Sequence, residues 1–195
     1  MHNENDEIGD VFGIGGMAGG ADWTPMQLEQ RDPVPSLDEQ LAAIHQPKPW
    51  RVALIGCGKA KGDAPAPAKD LYTGGLFRAA RAHVEAGPYD AWYILSAKHG
   101  LVHPDEVIEP YDAKLGSRRA ELERWASRVS RSLLSAVQGH IDAGIVVDTF
   151  AGKDYADYLG CGLSYMVRPS FTFHKPLAGL QIGERLSWFA SRAAA

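Results

Sequence analysis

Trp92-Tyr-Ile-Leu-Ser-Ala-Lys-His-Gly-Leu-Val-His-Pro-Asp-Glu-Val-Ile-Glu-Pro-Tyr-Asp112 joins a short apolar run to a segment crowded with Lys, His, Glu, Tyr and Asp. Trp92 to Leu95 suits a strand covered on both faces. Lys98, His99, His103, Glu109, Tyr111 and Asp112 are too polar to follow it into a core without partners. A strand that ends in titratable groups presents chemistry at its carboxyl edge, so the segment is expected to line a pocket; an ordinary solvated loop is the competing reading.

The same pattern recurs on either side. Val52 to Ile55 reads as a buried strand running into the turn Gly56-Cys-Gly-Lys-Ala-Lys-Gly62. After Pro65, Pro67 and Asp70-Leu-Tyr-Thr73, a helix from about Leu76 to Glu85 buries Leu76, Ala80 and Val84. Ser117 is placed to cap a long helix in which Leu122, Trp125, Val129, Leu133 and Val137 recur at helical spacing. Ile145 to Val147 makes a third strand, and Asp148-Thr-Phe-Ala-Gly-Lys-Asp-Tyr155 leads from it into another helix. Alternating strands and helices predict an α/β fold, a three-layer sandwich with a mostly parallel central sheet. Ligands of such sheets sit beyond the carboxyl ends of the strands.

Residues 1–48 read differently, as an acidic, Gly/Pro-rich and partly disordered extension of the domain 49–195. Residues 1–50 hold nine Asp or Glu against two Lys or Arg, whereas the remaining residues sum to +3. The extension offers little apolar surface to offset its ordering entropy. A short helix from Ser36 to Ile44 is possible, with Glu39 at the capping-box position.

The chain has 195 residues, 45 % of them apolar, enough for a sizeable core. Its two cysteines, Cys57 and Cys161, form no CxxC pair, which suits a reducing cytoplasm. No apolar run nears the roughly 20 residues needed to cross a bilayer, so no membrane association is expected.

Three segments are expected to converge on the sheet edge: Cys57 to Lys61, Ser96 to Asp112, and Ala151 to Tyr155. The glycines at 56, 58 and 62 allow close approach of a phosphate or base, or simply shape a turn. Neither the Walker spacing nor GxGxxG is present. His99 and His103 are separated by Gly100 and followed by Pro104, and no HExxH accompanies them, so no metal or other cofactor is expected. Cys57 is either a nucleophile or an inert, buried thiol.

Several motifs in this order resemble the YaaA-like, DUF6884-type proteins. They are Cys57-Gly-Lys-Ala-Lys61, Ala68-Lys-Asp-Leu-Tyr-Thr73 with Leu76-Phe-Arg78, and Tyr93 to Pro104. Glu109-Pro-Tyr-Asp112, Ala151-Gly-Lys-Asp-Tyr155 and Pro176-Leu-Ala-Gly-Leu-Gln-Ile-Gly-Glu184 complete the series. The resemblance implies DNA binding and stress response, and a relation to the uracil-DNA glycosylase superfamily, including enzymes that remove modified bases from phage DNA. The glycosylase sequences GQDPYH and HPSPLS do not occur, so uracil is not the expected base.

On that implication the protein is a DNA glycosylase, in which a carboxylate stabilises an oxocarbenium-like sugar while donors stabilise the departing base. Asp112 is the first candidate carboxylate and Glu109 the second, with Lys98 and His99 polarising the base or holding phosphate. Cys57, Gly58, Tyr72, Phe77 and Tyr111 would form the base pocket, although each aromatic has a core role open to it. Lys59, Lys61, Arg78, Arg81, Lys153 and Tyr155 would contact DNA. Arg124, Arg128 and Arg131 share a helix face that alternates with Glu121 and Glu123 and reads as solvated. The alternatives are a non-catalytic DNA-binding stress protein, and a hydrolase or transferase acting on free nucleosides or nucleotides.

Overall fold

The structure, a computed structural model, describes residues 35–38, 40, 48–166 and 171–193. The chain divides into two units, Met1–Ala43 and Ile44–Ala195. In the first, the described residues make a helical turn in which the Gln40 backbone N–H donates to the Ser36 carbonyl at 2.9 Å. The acidic extension over residues 1–34, Glu39 of the capping box, and the helix expected beyond Gln40 lie outside the described residues.

The second unit is built on a five-stranded sheet. Its strands are β1 (Trp50–Gly56), β3 (Ala91–Ser96), β4 (Gly100–Val102), β6 (Ile145–Phe150) and β7 (Phe171–His174), in the order β4-β3-β1-β6-β7. All neighbours are parallel except β3 and β4. A separate pair joins β2 (Ala66–Pro67) to β5 (Val107–Ile108).

β1 is the apolar run Trp-Arg-Val-Ala-Leu-Ile-Gly, and as a central strand it is flanked on both edges, by β3 and by β6. Its alternate side chains divide between two buried clusters, as the period of two along a strand requires. Ala53 and Ile55 join Phe77, Ala80, Val84, Ile94, Phe150 and Phe189. Val52 and Leu54 join Trp125, Val129, Leu133, Val147, Leu159 and Leu163.

Helices supply the rest of each cluster. α1 (Ala68–Leu71) and α2 (Gly75–Ala86) contribute to the first, together with α5 (Ile182–Ala193). α3 (Arg119–Val137) and α4 (Lys153–Met166) contribute to the second. In α3 the buried residues Leu122, Trp125, Ala126, Val129, Leu133 and Val137 recur at intervals of three and four, one stripe of a helix. Leu133 is fully buried, so Leu133→Ala removes about 2–5 kcal/mol of stability.

Local expectations change in four places. Phe77, rather than Leu76, is the α2 residue buried with Ala80 and Val84, because residues 77, 80 and 84 share one stripe at helical spacing. Ser117 does not cap α3; Arg118 holds that position, without a side-chain cap. Asp148 and Thr149 lie inside β6 rather than after it. The polar segment after β3 first turns back as β4, with Gly100 at φ +82° opposite Ser96. Glycine reaches that backbone region without strain, and a Cβ there would lie 3.1 Å from the Arg128 Nε. β7 and α5, for which the sequence signal is short or mixed, complete the unit.

Candidate functional site at the carboxyl edge of the sheet

β1, β3 and β6 are parallel, so their carboxyl ends lie side by side. The Cys57 N–H donates to the Leu95 carbonyl at 3.0 Å, which carries the β1–β3 alignment one residue past the strand. A Cβ on Gly56 would meet the Ala151 Cα and Cβ at 3.1 Å, so the turns after β1 and β6 approach closely. The Cys57 Sγ then lies 3.7 Å from the Tyr155 hydroxyl.

Ser96, the last residue of β3, is fully buried. Its Oγ accepts from the His99 N–H at 3.0 Å and is hydrogen-bonded to the Tyr111 hydroxyl at 2.7 Å. Tyr111 is joined in turn to the Tyr72 hydroxyl at 2.8 Å. The Trp125 Nε1 donates to the Ser96 carbonyl at 2.9 Å, fixing α3 against the same point. Backbone bonds lace the surrounding turns together: Gly62 N to Leu71 O, Thr73 N to Ala60 O, Ala68 N to Glu106 O and Lys69 N to Pro104 O, all between 2.8 and 3.1 Å.

Two ammonium groups lie against this cluster. The Lys61 Nζ is 4.3 Å from the centre of the Tyr111 ring and 5.5 Å from that of Tyr72. The Lys98 Nζ is 5.4 Å from the Tyr111 ring, which His99 meets edge-on at 5.1 Å. Such cation–ring contacts contribute about 0.5–2 kcal/mol each. Neither lysine makes an ion pair among the described residues.

Burial sets the protonation of the cluster. It raises the phenols of Tyr72 and Tyr155 far above the ordinary range, and that of Tyr111 against the opposing hydrogen bonds from Ser96 and Tyr72. All three are neutral hydroxyls at physiological pH. Burial, reinforced by the nearby Lys98 charge, lowers the His99 pKa, so this ring is mainly neutral at pH 7.

The remaining candidate residues fall into three groups. Glu109 and Asp112 are exposed, flank Tyr111 in the chain, and make no hydrogen bond or ion pair among the described residues. Cys57, Gly58 and Phe77 line a small cavity of about 90 Å³ with Phe150 and Tyr155. That is room for about three waters, so a base enters only if these walls move. Phe77 also packs into the core, its ring 5.0 Å from Tyr72. Lys59, Arg78 and Lys153 are exposed. Arg81 is instead engaged by Asp70 at 2.7 Å and Glu85 at 2.8 Å, and ties α2 to α1.

Some polar groups were hidden from sequence reasoning. Arg124 and Arg128 line a cleft of about 330 Å³ with Lys114 and Trp125, next to Ala97. All three arginines of that face, Arg124, Arg128 and Arg131, are exposed, as the solvated reading expects, and the Arg131 Nε donates to the Ser127 carbonyl of its own helix. Asp148, expected in a loop, is a buried carboxylate in β6 that accepts from the Arg51 Nη2 at 2.8 Å, the Tyr89 hydroxyl at 3.0 Å and the His174 Nδ1 at 2.8 Å. The pairing β1–β6–β7 brings Arg51 and His174 to Asp148, and Tyr89 arrives from the turn before β3; no motif in the chain announces the cluster. Among the described residues, no group of three or more His, Cys, Asp or Glu could hold a metal ion, and no helix is long and apolar enough to cross a membrane.

The fold and the cation-flanked hydroxyl cluster define an α/β protein with its candidate site at the carboxyl edge of a mostly parallel sheet. The chain belongs to DUF6884, a family of unknown function that matches residues 52–191. It is also similar to YfjM, an uncharacterized protein of Bacillus subtilis (strain 168), at 35 % identity over 79 residues, which cover 37 % of this chain and 52 % of that protein. The match thus spans about half the length of that relative. No solved structure matches the chain. These matches name neither a YaaA-like protein nor a uracil-DNA glycosylase.

Proposed function

We propose that the protein is a cytoplasmic DNA N-glycosylase, a three-layer α/β sandwich that removes a modified base from DNA, with phage DNA as the source of such bases. The observation that carries this reading is the pair of ammonium groups, Lys61 and Lys98, held on the Tyr111 ring without counter-ions among the described residues, with the exposed carboxylates Glu109 and Asp112 on either side of Tyr111 in the chain. Cations without counter-ions suit a polyanionic partner, and a carboxylate in the same loop suits a sugar that acquires positive charge.

In the proposed reaction, water adds to the sugar C1′ and the N-glycosidic bond breaks, its electron pair leaving with the base. A proton lost by the water balances one gained by the base. Asp112 orients the water and stabilises the developing cation, with Glu109 as its alternate. Lys98 and His99 donate hydrogen bonds to the departing base, and Lys61 holds an adjacent phosphate. A base stacked on Tyr111 displaces one of the two ammonium groups from its ring.

Incubating DNA that carries modified bases with the protein, then heating in alkali, cleaves the strand wherever a base has been lost. The expected result is cleavage that Asp112→Asn abolishes. Intact strands with every substrate, despite tight binding, select the second reading, a non-catalytic DNA-binding protein. One observation favours that alternative: no hydrogen bond among the described residues fixes either carboxylate, whereas catalysis gains most from groups held in place.

A further inference from the structure

Beyond the carboxyl end of β6 lies a second concavity, of about 380 Å³, whose lining includes Thr149, Lys153, Asp157, Lys175 and Arg185. Three cations face one carboxylate, a surplus of two positive charges. The Lys175 Nζ is held by the Asp157 Oδ1 at 2.7 Å. Arg185 is half-buried and donates its Nε to the Leu180 carbonyl at 2.8 Å, which leaves both terminal nitrogens of the guanidinium for another acceptor. Lys153 makes no ion pair among the described residues.

Two further features suit an anion here. Lys153 is the first residue of α4, a 14-residue helix, so the opening N–H groups and the positive end of the helix dipole lie at this wall. Asp154 in the same first turn opposes them with a single exposed charge. Thr149 stands in the wall, 1 % exposed, and its buried Oγ1 has no hydrogen-bond partner. A buried hydroxyl without a partner is uncommon in folded proteins; this one has almost no accessible surface, so a ligand oxygen in the cavity reaches it only after the Thr149 side chain rotates.

We infer that this cavity binds the phosphate group of a nucleotide. Arginine, lysine and a helix N-terminus together match a tetrahedral oxyanion with several acceptor oxygens. The neighbouring small cavity gives the rest of the ligand its class: Ala151, Leu177 and Arg185 wall both spaces, and the smaller one carries Phe77, Phe150 and Tyr155. A phosphate at Arg185 therefore lies beside an aromatic-walled recess that, at about 90 Å³, admits the attached nucleoside only when its walls move. The phosphate belongs either to a free 5′-nucleotide or to a DNA strand, and the chemistry of recognition is common to both.

The inference goes beyond the glycosylase reading and does not depend on it. Inorganic phosphate titrated into the uniformly ¹⁵N-labelled full chain is expected to shift the amides of residues 152–156 and 179–181 saturably. Lys153→Ala and Arg185→Gln are each expected to weaken that binding about tenfold with unchanged circular dichroism. Lys153 is exposed, so its variant keeps the test decisive should the Arg185 variant fail to fold. A deoxynucleoside 5′-monophosphate that binds more tightly than both phosphate and a short single-stranded oligonucleotide assigns the site to free nucleotides; tighter binding of the oligonucleotide assigns it to DNA. Absence of saturable shifts, shifts that map elsewhere, or variants that bind phosphate like the parent overturn the inference. Base release without phosphate binding removes this inference alone, and phosphate binding without base release removes only the glycosylase.

Discussion

Two polar clusters abut the same sheet, and they treat charge in opposite ways. Around Asp148 a buried carboxylate accepts from Arg51, Tyr89 and His174, so the charge is matched where it is buried; of the buried side-chain polar atoms in that group only the Arg51 Nε lacks a partner. Around Tyr111 the hydroxyls satisfy one another, yet Lys61 and Lys98 rest on an aromatic ring with no carboxylate paired to them. A matched network holds strands in register. Unmatched cations at a strand edge contribute little to the folded state, and their charge is available to a ligand.

The contrast predicts that substitutions at the two clusters separate stability from binding. The largest expected effect is on activity: Asp112→Asn lowers base release at least a hundredfold, about 2.7 kcal/mol of barrier, with thermal stability unchanged because the side chain is exposed. Base release that survives this change removes Asp112 from the chemistry.

The largest expected effect on stability is at the matched cluster: Asp148→Ala strands the Arg51 guanidinium and costs about 3 kcal/mol in a urea titration, the lower end for a buried pair since Arg51 reaches solvent. The same group sets an acid limit. Burial alone would raise the Asp148 pKa, but the hydrogen bonds from Arg51, His174 and Tyr89 outweigh it and bring the pKa below its usual 3.8. A group whose pKa is depressed by folding adds stability that is complete above the unfolded value and lost as pH falls through the folded one. Unfolding monitored from pH 5 downward should therefore lose stability below about pH 4, and Asp148→Asn should flatten that loss. An equally steep loss in the variant assigns the acid sensitivity elsewhere.

Tyr111→Phe removes one hydroxyl shared by Ser96 and Tyr72, with an expected cost of about 1–2 kcal/mol. The smallest stability effects belong to Lys61→Ala and Lys98→Ala, about 0.5–1 kcal/mol from the loss of cation–ring contacts. Each should instead weaken DNA binding across sequences and lower the slope of log affinity against log salt by about 0.7–0.9. If either lysine variant destabilises the fold as much as Asp148→Ala, the distinction between a structural and a binding cluster fails.

Much of the frame follows from local pattern. The apolar runs of β1, β3 and β6 and the stripe Leu122-Trp125-Val129-Leu133-Val137 each report burial through a period that one segment carries by itself. The three turns that form the rim were recognisable for the same reason, since glycines and charges follow directly on apolar strands. β4 was concealed by its three residues and the polar turn before it, and the Asp148 site by lying in a strand that is otherwise apolar except for Thr149.

Composition and periodicity thus determined an alternating α/β chain with polar, glycine-containing turns at its strand ends, because whether a side chain is buried depends mainly on its own element. Pairing across the fold was decided by register and strand order. Tyr72 meets Tyr111 across 39 residues and Arg51 meets Asp148 across 97, and the Lys153, Lys175 and Arg185 cavity draws on α4, the turn after β7 and α5. No spacing along a chain encodes such meetings, since they depend on how separate elements close around a common core.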